Sequence, residues 1–162
     1  MLVDVCQSLP ERALSASALA DPGITLAMQN FRAAIDSQAS LFIGDAPSVI
    51  AGNSTPTACF CSGDFVLRLR REELAGQEGL YFSLLEKLTE LLKVAGAEWL
   101  TARLCLQAQS PARSLPAAAL LIRLEARGAS QEQANLRWCL GAAHLQQALL
   151  FTSRYLRQQS EP

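Results

Sequence analysis

An α+β fold, an antiparallel sheet flanked by helices in the order α-β-β-(β)-α-β-β-α, is predicted by three features of this 162-residue chain. From Asp64 onward the hydrophobic period switches between the two-residue repeat of a strand and the three-to-four repeat of a helix. Strands come in consecutive groups instead of alternating singly with helices, which favours antiparallel pairing over βαβ crossovers. Helix boundaries carry caps: Ser8 with Glu11, Ser130 with Gln133, and Gly96 after a leucine-rich run.

Ser8, Leu9, Pro10 and Glu11 predict a short helix over 9–20, ended by Asp21, Pro22 and Gly23. Ile24, Ala27, Met28, Phe31, Ala34 and Ile35 then form one apolar stripe, a helix over 24–38. Leu41 to Ile43 and Ser48 to Ala51 read as short strands, the second closed by turn residues from Gly52 to Pro56. Runs 57–62 and 64–71 read as two strands of a hairpin turning at Ser62, Gly63 and Asp64, with Phe65, Leu67 and Leu69 on one face. Tyr81, Leu84, Leu85, Leu88, Leu91, Leu92 and Ala95 predict a helix over 80–95. Alternation predicts strands over 100–107 and 118–125, joined by a wide connection through Ser110 to Pro116, and the cap at Ser130 opens a helix reaching Arg157. Trp138, Ala142, Leu145, Leu149 and Leu156 form its buried stripe, while Leu136, Leu140, Ala143, Leu150 and Phe151 are left for a first helix, a second subunit or a ligand. The expected organisation is an N-terminal extension over 1–22 bearing a short helix, a single α+β domain over 23–158, and a disordered tail over 159–162.

Half the residues are apolar and 18% are charged. A surface this lean in charge leaves apolar area exposed, which marks an interface and makes a protein partner, including another copy, the expectation. A net charge of −1 argues against nucleic acid, whose binding needs several phosphates neutralised. No apolar run is long enough for a membrane span, and the first ten residues lack the basic start and apolar stretch of a signal peptide, so a cytoplasmic protein is expected. Cys6, Cys59, Cys61, Cys105 and Cys139 are odd in number and scattered through strands and helices, as reduced thiols in such a compartment would be.

Catalytic chemistry is sparse. The single histidine, His144, is five positions from Cys139 and so about 140° away around a shared helix. Cys59 and Cys61 have no second ligand pair at zinc spacing, and the phosphate-cradling glycine motifs are absent, so no cofactor and no metal is expected. The adjacent carboxylates Glu72 and Glu73 sit on a loop leaving a strand, where solvation is the ordinary role. The reading is therefore a non-enzymatic protein.

One constellation remains. Arg68, Arg70, Arg103 and Arg123, with Arg127 beyond, fall on the non-core faces of strands, with Val66, Cys105 and Leu121 between them. Such a row either keeps the sheet face solvated or forms a platform for an extended acidic or polar segment, read by planar guanidinium donors with apolar pockets between.

The order of elements, the size and the mild acidity of the stretch from Ile24 to Arg157 resemble the class I chaperones of type III secretion systems. That resemblance rests on no fixed motif. It implies a homodimer that holds the N-terminal segment of a secreted effector in extended form. Position for position, it implies dimer contacts at Leu84, Leu88, Leu91 and Leu104, and effector contacts at Phe31, Ile35 and exposed strand surface. Two alternatives stand beside it: a regulatory dimer of the roadblock or longin kind, and a small cysteine-based enzyme using His144 as base.

Overall fold

The structure, a computed structural model, describes residues 1–10, 17–18, 21–37, 40–44, 48–69, 80–95, 97–107 and 119–160. Among them the chain runs β1 (Leu2–Cys6), β2 (Ser17–Ala18), α1 (Pro22–Asp36), β3 (Phe42–Gly44), β4 (Ser48–Thr55), β5 (Ala58–Leu69), α2 (Leu80–Lys93), β6 (Leu100–Gln107), β7 (Ala119–Gly128) and α3 (Gln131–Ser160). The strands form one sheet in the order β1-β6-β7-β5-β4-β2, with β3 also pairing to β5. All pairings are antiparallel except β1 with β6. The α+β class read from the sequence is therefore the class observed.

The helices converge on one face of the sheet. Ile24, Phe31 and Ile35 of α1, Leu84, Leu88 and Leu92 of α2, and Trp138, Ala142, Leu145 and Leu149 of α3 join Phe65, Leu67, Leu104, Ile122 and Leu124 in a single core. The same three-to-four spacing that marks each helix in sequence makes this continuous stripe. Trp138 stacks on Phe65 with centroids 6.0 Å apart, Phe31 tilts onto Phe65 at 4.5 Å, and the indole Nε1 donates to the Leu124 carbonyl at 3.0 Å. The indole's polar edge is thus satisfied inside the core.

Several local expectations are corrected. Asp21 does not end a helix but caps one: its Oδ1 accepts from the backbone N–H of Gly23 and Ile24, and Pro22 begins α1 where its missing N–H has no helical partner to lose. Ser17 and Ala18, inside the helix expected over 9–20, are instead β2. A capping box without an apolar stripe behind it offers little to bury, and pairing with β4 prevails. The extension's first residues, Leu2–Cys6, are an integral strand of the sheet. β4 continues through Gly52 to Thr55, with a bulge near Asn53 and the turn at Pro56 and Thr57.

The largest correction concerns Gly63. The two strands expected to turn there are one continuous strand, β5, whose two halves pair with β4 and β3 on one side and with β7 throughout. Glycine is needed for clearance, because a Cβ at this position would lie 2.4 Å from Trp138 Cζ2. The cap expected at Ser130 forms, Ser130 Oγ accepting from Gln133 N, while the return bond from Gln133 Oε1 is to the N–H of Ala129, one residue before the cap. Arg70, the 108–118 connection and Gly96 lie outside the described residues.

Candidate functional site

The sheet's second face carries the polar residues of its strands. Antiparallel register places Asp64 of β5 opposite Arg123 of β7, Arg123 opposite Arg103 of β6, and the parallel pairing places Asp4 of β1 beside Arg103. One row across four strands therefore reads Asp4, Arg103, Arg123, Asp64. Like charges directly opposite repel, so a carboxylate at each end of the arginine pair balances the row.

Arg123 is the most constrained member. Its Nε and Nη2 donate to the two carboxylate oxygens of Asp64 at 2.8 and 3.0 Å, a bidentate pair. Its Nη1 donates to the carbonyl oxygen of Pro10. Only 8% of the residue is exposed. Asp64 holds the guanidinium charged, pushing its already high pKa further up against the opposing effect of burial.

Gln7–Pro10 folds back over this face from β1. The Cys105 thiol donates to the Gln7 carbonyl at 3.1 Å, and Arg123 takes the Pro10 carbonyl. The sheet face thus already receives a folded-back stretch of main chain through side-chain donors. Beside this contact lies a cavity of about 440 Å³ lined by Leu2, Val3, Asp4, Thr101, Arg103, Arg123, Glu125 and Arg127. On the same face Ser62 is buried, and among the described residues its hydroxyl has no hydrogen-bond partner.

The arginines named from the sequence are distributed unevenly. Arg103, Arg123 and Arg127 share the cavity, whereas the exposed Arg68 sits four residues along β5 from Asp64, about 14 Å away. Val66, half-buried, lies between them on the same face, its row neighbours being Leu121, Cys105 and Cys6. Arg127 also donates to the Glu98 carbonyl at 3.3 Å. Asp4, Thr101 and Glu125, which complete the cavity, were not singled out from sequence. The alternation of Val3, Asp4, Val5 and Cys6 was the available signal, and so was Asp64 in phase with Val66 and Arg68.

Phe31 and Ile35 are 2% and 1% exposed on the inner side of α1, so the effector contacts implied for them have no accessible side chain. Leu84, Leu88 and Leu104 are fully enclosed in the same core, and Leu91 is half-buried. A dimer contact through the first three is likewise closed on this fold. Apolar exposure lies elsewhere, at Leu136, Leu140 and Phe151 of α3, Leu26 of α1, and Leu2 and Val5 of β1. A groove of about 650 Å³ between α1 and α3 is lined by small and apolar residues including Leu26, Ala27, Ala34, Cys139 and Ala143.

His144 Nε2 lies 3.3 Å from the carbonyl oxygen of Leu91, joining α3 to α2. Among the described residues, no three His, Cys, Asp or Glu side chains converge as metal ligands, and no helix is long and apolar enough to cross a membrane. The chain matches no protein-family model, no curated protein and no solved structure.

Proposed function

We propose that this chain is a binding protein that performs no reaction of its own and receives an extended polar or acidic segment of a protein partner on the open face of its sheet. The observation that carries this reading is the Arg123 guanidinium, fixed by Asp64 and donating to a main-chain carbonyl at Pro10. A buried, oriented guanidinium recognises carbonyl and carboxylate oxygens with little ordering left to do. The adjoining cavity adds Arg103 and Arg127 for acidic groups and Thr101 for hydrogen bonding.

From α1 to α3 the elements run α1, β3, β4, β5, α2, β6, β7, α3, an order that resembles that of the class I secretion chaperones, with β1 and β2 preceding it. On that reading the segment is the N-terminal stretch of a secreted effector, and the protein acts as a cytoplasmic homodimer. Exposed leucines and Phe151 on α3 supply apolar area for such assembly.

Fluorescently labelled peptides of alternating acidic and apolar residues test the reading. Binding should weaken as salt is raised and fall at least tenfold in an Arg103→Ala/Arg127→Ala double variant, whose half-exposed and exposed positions leave the core intact. Equal binding of basic peptides of the same length, or no dependence on these arginines, would reject it.

A further inference from the structure

We propose that Cys6 and Cys105 form a reversible disulfide that fastens the first strand to the sheet. The two residues are register partners on the neighbouring parallel strands β1 and β6. No other two cysteines are register partners among the described residues. Each thiol already reaches across to the other's strand: Cys6 Sγ donates to the Leu104 carbonyl at 3.7 Å, and Cys105 Sγ donates to the Gln7 carbonyl at 3.1 Å.

Adjacent strands are about 4.8 Å apart, inside the roughly 4.4–6.8 Å range of Cα separations that a disulfide spans. The Cβ atoms of directly opposed residues in parallel strands point the same way, so their separation stays near that of the Cα atoms and exceeds the relaxed disulfide value of about 3.8 Å. Such a bond is strained. Strain raises its reduction potential and makes it one that forms and reopens, unlike a permanent staple.

The two thiols are unequal in access. Cys6 is half-buried and Cys105 is 2% exposed, burial keeping the Cys105 thiol protonated to higher pH than usual. Cys6 is accordingly the group that a small-molecule disulfide or a peroxide reaches first. With a disulfide oxidant, the Cys6 thiolate attacks one sulfur and releases one thiol. Cys105, losing its proton, then attacks the Cys6 sulfur and releases the second thiol. With hydrogen peroxide the Cys6 thiol becomes a sulfenic acid with loss of one water, and attack by Cys105 expels the second water. In both cases two thiols lose two protons and two electrons, and the oxidant takes them up.

The linkage closes a loop of nearly a hundred residues and pins the strand from which Gln7–Pro10 crosses to Arg123. It does not depend on the peptide-binding reading, because its test needs no partner. The purified full-length protein is equilibrated with oxidised glutathione or one equivalent of hydrogen peroxide, free thiols are trapped with a maleimide, and proteolytic fragments are mapped by mass. The expected product is a Cys6–Cys105 linked fragment reopened by dithiothreitol, with Tm raised by roughly 5–10 °C and slower hydrogen exchange over Leu2–Cys6. Cys6→Ser abolishes the linkage, and Cys139→Ser leaves it. Thiols that stay free, or a linkage between other cysteines in its place, would overturn the inference.

Discussion

Gly63 and Asp64 occupy adjacent positions on β5 and face opposite ways, one into the core against Trp138 and one onto the charged row. Gly63→Val should destabilise by about 1–3 kcal/mol in urea unfolding, because the new side chain overpacks the indole. In a Trp138→Leu background the same substitution should cost less, where a turn requiring glycine for its backbone would show no such change. Asp64→Asn removes the charge opposite Arg123 and should cost about 1–3 kcal/mol, since the guanidinium stays largely buried without its carboxylate. Asp21 adds a pH dependence. The Asn135 amide, followed by the N–H groups of Ile24 and Gly23, holds its carboxyl below the ordinary value despite some burial. A lowered folded pKa means that stability is present above the unfolded value and lost as pH falls through the folded one. Asp21→Ala should therefore cost about 1 kcal/mol above pH ~4, and the gap to wild type should close in more acidic solution. These residues also mark what one-dimensional reading misses. Glycine beside serine and aspartate has the chemistry of a turn, and only the ring of Trp138, dozens of residues away, makes it a clearance position.

Helices were legible because each buries a stripe spaced at three and four that nothing else in the chain imitates. Ile24, Phe31 and Ile35 fix α1, Leu84, Leu88 and Leu92 fix α2, and Trp138, Leu145 and Leu149 fix α3. β6 was legible from Leu100, Ala102 and Leu104 alternating with Thr101 and Arg103. β1 and β2 were not: the short alternation of β1 has its partner about a hundred residues on, and the two residues of β2 carry no alternation to outweigh a capping-box motif. Part of the charged face was visible through its arginines, while its acidic members needed register. At this scale the Ser130 cap gives a direct test. Ser130→Ala should lower stability by about 1 kcal/mol, and Ser130→Asp should retain most of it, since both hydroxyl and carboxylate accept from Gln133 N.

Across the molecule, the helices enclose one side of the sheet while the other side presents alternating charge. Leu84, Leu88 and Leu104, which the resemblance assigns to a dimer, are spent on the chain's own core, and the apolar side chains left in solvent include Leu136, Leu140 and Phe151 of α3 and Leu26 of α1, with Leu2 and Val5 of β1. A homodimer would therefore need contacts other than those three leucines. Light scattering on the purified protein should give twice the 17.5 kDa chain mass, and Leu136→Glu/Leu140→Glu should return it to a single chain without loss of helix content. A single-chain mass for the wild type at micromolar concentration would remove the homodimer from the proposal.

The parallel seating of β1 on β6 bears on how the protein is made. The ribosome delivers Leu2–Cys6 about a hundred residues before its partner Leu100–Gln107 emerges. A pairing of such high contact order forms late and slowly. Until then the nascent chain carries the valines and cysteine of β1 in search of a strand not yet synthesised, an interval in which a cellular chaperone has something to hold.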